Sequence, residues 1–412
     1  MIKKIPISQL RLGMYIHDLD LGWIDHPFLQ NRFKLTNQAD LDKILSLQLR
    51  EVYIDTAKGL DILDQTAGIG KNLAEVQHEI QKSMEDLAKK YPDNEYHAPR
   101  NEEWQRAQLV MTEANQVVTH MLEDVRLGKQ LEVERLEPVI GQIVKSVFRN
   151  QDALMGMIRI REMDKYTFEH SVSVSVLLTA FCKSLGMPYE IIHQAAIGGI
   201  LHDIGKVKIP LEILNKPGPL AEQEFITMRG HVNRSMEIIE SLSEISEISR
   251  AIIVEHHERY DGSGYPFQKK EEEISLHGQM AAIVDVYDAL TSNRCYHKGK
   301  SPHWVLGKLI EWSKYHFNPT LVQKFIRCIG VYPVGTLVLL QSGRLGVVIE
   351  LNEGDLLRPI IKLAYDKNRQ RHLSLTTLNL ARQDITTPDR IIGSESPEIY
   401  NLRVDMILNS KN

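Results

Sequence analysis

Cysteine is scarce in this chain, with only Cys182, Cys295 and Cys328 among 412 residues. They lie far apart and form no C-x-x-C pair, which argues against a disulfide framework and fits a reducing compartment. Charge of one sign is not in excess either. A net charge of -5 gives no electrostatic reason to expect a nucleic-acid polymer or an acidic membrane as partner. Long hydrophobic runs are missing too. The longest apolar-looking stretch, around Val172 to Phe181, is short and threaded with serines, whereas a membrane-spanning helix needs about 20 apolar residues. Met1-Ile2-Lys3-Lys4-Ile5-Pro6 leads into no apolar signal core, so a cytoplasmic location is expected. The glycine fingerprints of P-loop and Rossmann enzymes are also absent.

What remains is an ordinary globular composition, 43% hydrophobic and 25% charged, long enough for two or three domains. Residues 1–65 read as a small α/β unit. Gly13 to His17 and Arg32 to Leu35 are expected strands, Asn37 an expected cap of a helix through Leu47, and Val52 to Ile54 a returning strand. Residues 66–157 read as a helical connector, with Leu73, Val76, Ile80, Met84 and Leu87 at helical spacing. A polar linker near 91–103 interrupts it, and breaks are expected near Gly128 and Pro138. Such a connector offers a seam for a homodimer, although most amphipathic helices are plain scaffold.

Residues 158–330 are expected to be mostly helical. The run Ser171 to Val176 alternates as a strand would, but its flanks carry no strand turns, so it is read as helix. Serine and valine there would let neighbouring helices approach closely. Residues 331–412 form a β-rich C-terminal extension, with strands at Leu337 to Leu340, Gly346 to Leu351 and Ile360 to Tyr365. Ser342-Gly343 is the hairpin turn between the first two. The expected fold class is mainly α.

Two dyads carry the chemistry. His202-Asp203 follows the apolar positions Ile191, Ile192, Ala195, Ala196, Ile200 and Leu201, so it lies near the end of a buried helix. Adjacent helical residues point about 100° apart, which lets His202 hold one metal while the oxygens of Asp203 bridge it to a second. Lys206, one turn on, is placed to grip a phosphate or protonate a leaving oxygen. About fifty residues later come His256-His257-Glu258 and a glycine-rich turn closed by Pro266. With His170, His231 and Asp285 from separate helices, five histidines and two aspartates would converge. Nitrogen and oxygen donors of this kind suit iron, manganese, nickel, cobalt or zinc. Two metals about 3.5–4 Å apart polarise a phosphoryl group and lower the pKa of a shared water, giving a hydroxide for in-line attack on phosphorus. Arg294 is placed to neutralise a non-bridging phosphate oxygen.

Singly, these residues have plainer readings. A lone His170 or His231 is more often a packed histidine than a ligand. Lys206 alone is a helix-end lysine favoured by the dipole, and Asp261-Gly262-Ser263-Gly264 alone is a turn. Asp288 rivals Asp285 one turn away. His193, His277, His303 and His316 belong to no motif and are read as ordinary. The two dyads together, with a lysine in place, favour a dinuclear metal hydrolase.

His202-Asp203-x-Gly205-Lys206 with His256-His257-Glu258-x-x-Asp261-Gly262-x-Gly264-Tyr265-Pro266 resembles the HD-GYP phosphodiesterases of bacteria. The resemblance extends from Tyr166-Thr167-x-x-x-His170-Ser171, through Lys216-Pro217-Gly218, to Asp285-Val286-Tyr287-Asp288-Ala289-Leu290-Thr291-Ser292-x-Arg294. The first 65 residues also look like a small domain that often precedes this catalytic domain. The resemblance implies an HD-type helical bundle that hydrolyses cyclic di-GMP to linear pGpG, sometimes onward to GMP. It implies His170, His202, Asp203 and Asp285 as ligands of one metal, and Asp203, His231, His256 and His257 as ligands of another. It selects Asp285 over Asp288 and favours iron or manganese. Lys206 and Arg294 match positions that contact the substrate phosphate. Gly264 and Tyr265 belong to the segment that shapes the substrate pocket and is implicated in docking diguanylate-cyclase partners.

The chain departs from the family pattern in two places. Members with three metals use a glutamate where this chain has Tyr166, with Glu169 displaced, so two metals are expected. Many members read Arg-Pro-Tyr where this chain has Arg294-Cys295-Tyr296, and His297 stands where a basic residue is expected. Two other functions stay open at this stage. One is a non-catalytic sensor or adaptor that binds a cyclic dinucleotide; the other is an HD phosphohydrolase acting on a different cyclic dinucleotide.

Overall fold

The computed structural model describes residues 1–19, 32–47, 49–62, 73–88, 98–159, 166–216, 218, 220–240, 242, 245–292, 299–352, 354–383 and 388–410. The chain forms two compact units, Met1–Ser83 with Leu211–Thr227, and Met84–Pro210 with Met228–Asn412.

In the first unit, β1 (Ile2–Pro6), β2 (Tyr15–Asp18), β3 (Phe33–Lys34) and β4 (Glu51–Asp55) make an antiparallel sheet in the order β1-β4-β2-β3. Helix α1 (Gln38–Ser46) starts where the Asn37 side chain accepts the Asp40 amide at 2.8 Å, the cap expected from the sequence. Ile5, Met14, Ile16, Leu35, Ile44, Val52 and Ile54 close its core. Helix α2 (Leu73–Ala88) runs across the boundary between the units.

The second unit opens with α3 (Arg100–Arg126) and α4 (Glu137–Ile158), which pack together. Gly128, with φ +86°, lies in the turn after α3, and Pro138 sits in the first turn of α4. These are the two expected breaks. Glu103 is fully buried and accepts hydrogen bonds from Ser146 Oγ (2.7 Å), Arg149 Nε (2.6 Å) and Arg149 Nη2 (2.7 Å). Burial alone would raise its pKa, but the Arg149 guanidinium and the Ser146 hydroxyl hold it below the ordinary 4.5. A depressed carboxylate stabilises the fold above its unfolded pKa, and that contribution disappears as pH falls through the folded value. Glu103→Gln is therefore expected to lower stability by about 2 kcal/mol at neutral pH. Chemical denaturation across a pH series should show the gap to wild type closing in acid, as the wild-type carboxylate protonates.

Helix α5 (Tyr166–Ser184) contains the whole Ser-Val run, and α6 (Tyr189–Leu201) packs closely on it. Ser175 Oγ donates to the Ala196 carbonyl at 2.7 Å. Small side chains thus bring the two backbones together, and tertiary packing overrides the β-propensity of the run. After α6 the chain tightens into a 3-10 turn, Ile204–Lys208. The first unit supplies α7 (Leu211–Leu214) and most of α8 (Glu222–Arg229). The second resumes with α9 (His231–Ile239), α10 (Glu247–Glu255), α11 (Leu276–Thr291), α12 (Pro302–Trp312) and α13 (Pro319–Ile329). Helices α5, α6, α9, α10 and α11 surround the residues discussed below.

The C-terminal sheet comprises β5 (Leu337–Leu340), β6 (Arg344–Glu350), β7 (Ile360–Asp366), β8 (Arg371–Asn379) and β9 (Ile391–Ser394), in the order β8-β7-β6-β5-β9. Gly343, with φ +80°, turns the expected hairpin. Helix α14 (Val404–Asn409) closes the described chain, and the buried ammonium of Lys362 on β7 donates to the Ser410 carbonyl at 2.8 Å. No helix among the described residues is long and apolar enough to cross a membrane.

Candidate metal centre

Each expected donor sits at a helix end or on an inward helix face. His202 and Asp203 directly follow α6, His231 begins α9, and His256 and His257 directly follow α10. His170 lies on α5 and Asp285 on α11. All seven are buried. One donor atom from each of Asp203, His231, His256 and His257 lies within 4.8 Å of the others, and His170, His202 and Asp285 form a second such group. Asp203 stands between the groups. Its Oδ2 is 3.1 Å from His202 Nε2 and 3.7 Å from His170 Nε2, while Oδ1 is 3.3 Å from His231 Nε2 and 3.8 Å from His256 Nε2.

Helix geometry aims three of the rings. Nδ1 of His202, His231 and His256 lies 2.8, 2.8 and 3.0 Å from the carbonyls of Gly199, Met228 and Ile253, each three residues earlier. A carbonyl only accepts, so each ring keeps a proton on Nδ1 and turns Nε2 inward. His170 differs, because its Nδ1 meets a carboxylate oxygen of Asp288 at 2.7 Å while Nε2 lies 3.0 Å from Asp285 Oδ1.

The donor set fits cations. His202 Nε2, Asp203 Oδ1 and His257 Nδ1 are buried atoms that make no hydrogen bond, and such atoms are costly unless something binds them. Burial opposes charge on Asp203 and Asp285, yet the neighbouring imidazoles, with Lys206 beside Asp203, hold both well below the usual carboxylate range. Burial and the adjacent rings push His256 down to about 3, and burial with His256 and His231 also pushes His257 well down. Ionised carboxylates and the unprotonated His256 and His257 rings suit a first-row divalent metal.

Backbone approach sets the His202-Asp203 dyad against His231. A Cβ on Gly205 would lie 1.9 Å from the His231 carbonyl oxygen and 2.5 Å from the Ser235 amide nitrogen. The Gly205 amide donates to Ser235 Oγ at 2.8 Å. The absent side chain therefore lets the 3-10 turn lie against α9, which brings Asp203 to His231. Lys206 Nζ reaches Asp203 Oδ2 at 2.5 Å. Its side chain is 22% exposed, so it stands at the rim of an otherwise buried cluster.

The glycine-rich loop packs on the second dyad. The Tyr265 amide donates to the His257 carbonyl at 3.2 Å, and the Tyr265 ring stacks on His257 with centroids 4.6 Å apart. Gly264 passes so close to the chain at Arg259 that a Cβ would lie 2.3 Å from the Arg259 amide nitrogen. Glu258, buried, accepts the amides of Phe267 (2.7 Å) and Lys269 (3.1 Å) and so ties the loop to the dyad. The Arg229 guanidinium lies over the Tyr265 ring, 4.2 Å from its centroid.

Sequence reasoning gave no role to Glu258 or Arg229, and treated Asp288 only as a rival ligand. Glu258 acts across a turn, and Arg229 meets Tyr265 only through the fold, so no periodic signal marks either. Asp288 lies one turn beyond Asp285, and that spacing was the available clue. Arg294, Cys295, Tyr296, His297, Pro217 and most of the polar linker lie outside the described residues, as does the side chain of Tyr166.

A domain of unknown function, DUF3391, matches residues 2–136, and an HD domain matches residues 154–321. The cyclic di-GMP phosphodiesterase PA4108 of Pseudomonas aeruginosa is 36% identical over 404 residues, covering 98% of this chain and 94% of that protein. The chain belongs to the HD-GYP family. A cyclic di-GMP phosphodiesterase of Vibrio cholerae is 40% identical over 218 residues, which are 51% of this chain and 43% of that one. A 3'3'-cGAMP-specific phosphodiesterase 2 of the same organism is 40% identical over 124 residues, 30% of this chain and 24% of its own. Among solved structures, Bd1817, an HDG"Y"P protein from Bdellovibrio bacteriovorus, aligns with TM-score 0.45 at 17% identity, covering 79% of this chain and 98% of that one. The HD domain is a metal-dependent phosphohydrolase fold, and in this HD-GYP chain the two buried donor groups have the composition to bind metal.

Proposed function

We propose that the protein is a metal-dependent phosphodiesterase that hydrolyses cyclic di-GMP to pGpG. The observation that carries this reading is the convergence of two buried donor groups on Asp203. The near end-to-end match to a named cyclic di-GMP phosphodiesterase supports the substrate. We assign His170, His202, Asp203 and Asp285 to one metal and Asp203, His231, His256 and His257 to a second, with iron or manganese favoured. When bound, such a pair polarises phosphoryl oxygens and lowers the pKa of water.

The chain's own groups do the rest. Three backbone carbonyls hold imidazole protons on Nδ1, which keeps the inward nitrogens available. Lys206, at the rim and charge-paired with Asp203, is the cation assigned to the phosphate, and Arg294 is assigned to a non-bridging oxygen. Gly264 and Tyr265 are assigned to the substrate pocket. The loop carrying them is the proposed docking element for diguanylate cyclases. The α3–α4 pair is the proposed homodimer seam, and the proposed location is the cytoplasm.

The test is to purify the protein anaerobically, count its metals, and incubate it with cyclic di-GMP and Mn²⁺ or Fe²⁺. Two metals per chain with chromatographic appearance of pGpG or GMP are expected. Two metals without turnover of this substrate would overturn the reading. Lys206→Ala should lower turnover by about 100-fold, the lower range for removing one group that stabilises charge developing on the substrate, while metal content stays at the wild-type level. The similarity to a 3'3'-cGAMP-specific enzyme favours a second reading, hydrolysis of the hybrid dinucleotide. Competition between the two substrates separates them.

A further inference from the structure

The geometry points to Asp288 as a positioning residue that sets the orientation and donor strength of His170 at one of the two sites. This inference rests on the two-metal reading. Asp285 and Asp288 lie three residues apart on α11, so they share a face, and that face holds the His170 ring at both nitrogens. Asp285 Oδ1 lies 3.0 Å from Nε2, and Asp288 Oδ2 lies 2.7 Å from Nδ1. His170 and Asp288 are 2% and 0% exposed, so water does not compete for the contact. Ser292 Oγ donates to the same Asp288 oxygen at 3.4 Å.

The contrast with the other rings gives the contact its meaning. His202, His231 and His256 each donate Nδ1–H to a carbonyl three residues earlier in the chain. Among these four rings, only His170 is oriented by a carboxylate from another helix. An anionic acceptor makes a shorter and stronger hydrogen bond than a neutral carbonyl. It also raises the basicity of the opposite nitrogen, the one that faces the metal position. The group of His170, His202 and Asp285 has three protein donors besides the shared Asp203, and Asp288 strengthens one of them. The two sites are therefore inequivalent, and this part of the difference is borne by a side chain that mutation can remove.

The experiment is a Mn²⁺ titration of the anaerobic, metal-stripped full chain, with bound metal counted at each free concentration. Wild type should fill two sites. Asp288→Ala should weaken one of them by about 10–100-fold and leave the other unchanged. Asp288→Asn, which keeps the shape but not the charge, should shift the same site by less. If the alanine variant does not fold, the asparagine variant carries the test alone. A merely structural role would weaken both sites together and lower the melting temperature of the metal-free protein in step, and that result would overturn the inference. So would variants with both affinities intact beside a two-metal wild type. A wild type that takes up no metal would instead overturn the two-metal reading, and this inference with it.

Discussion

Asp203→Ala should reduce cyclic di-GMP turnover by at least about 1000-fold and lower bound metal from two per chain to one or none. Asp203 is the residue whose two oxygens face both donor groups, at 3.1 Å from His202 Nε2 on one side and 3.3 Å from His231 Nε2 on the other. Without it, His170, His202 and Asp285 lose their link to His231, His256 and His257. The change also removes the carboxylate that counters burial and raises the His202 pKa, and it releases Lys206 from its 2.5 Å contact. Asp203→Asn keeps the volume and should fail in the same direction, since an amide oxygen carries no net charge to hold two cations. Elemental analysis together with product chromatography reads both effects. Two retained metals with near wild-type turnover would remove Asp203 from the bridging role.

Gly205→Ala should be almost as damaging without touching a donor atom. The added methyl would sit 1.9 Å from the His231 carbonyl oxygen and 2.5 Å from the Ser235 amide nitrogen. Both are backbone atoms of α9 that cannot rotate away. Either the 3-10 turn or the start of α9 must move, and overpacking of this kind costs up to about 3 kcal/mol. The movement opens the distance between Asp203 and His231, so the group containing His231, His256 and His257 should lose metal first. Thermal melting of the metal-free chain measures the packing cost, and metal counting measures the displacement. An alanine variant with wild-type melting temperature and two metals would show that the turn accommodates the methyl.

Local signals were legible wherever a single element carried them. The Asn37 cap, the end of α6 at the His202-Asp203 dyad, the breaks at Gly128 and Pro138, and strands β5 to β7 all follow from neighbours within a few residues. β8 and β9 escaped notice. β8 is an edge strand whose alternation breaks at Thr376-Thr377, and β9 pairs with β5, about fifty residues earlier in the chain. α14, with six residues, is too short for helical periodicity to register. The Ser171 to Val176 run had the opposite difficulty. Its local preference favours a strand, and the close approach of α5 to α6 through Ser175 makes it a helix.

The sequence by itself determined the donor inventory: two helix-end dyads, three further histidine or aspartate positions, a lysine one turn on, and a glycine-rich loop. Residue type and short spacing are local properties, and they suffice to name the chemistry. Only the tertiary structure decided how those donors are aimed. It turns Nε2 of His202, His231 and His256 inward through carbonyls three residues earlier in the chain, and sets Asp288 behind His170 while Asp285 faces its other nitrogen. It also hangs the Tyr265 loop on Glu258. The contacts of Asp288 and Asp285 with His170 join helices far apart in the chain, where the direction of a side chain is settled by what packs against it rather than by its neighbours in sequence.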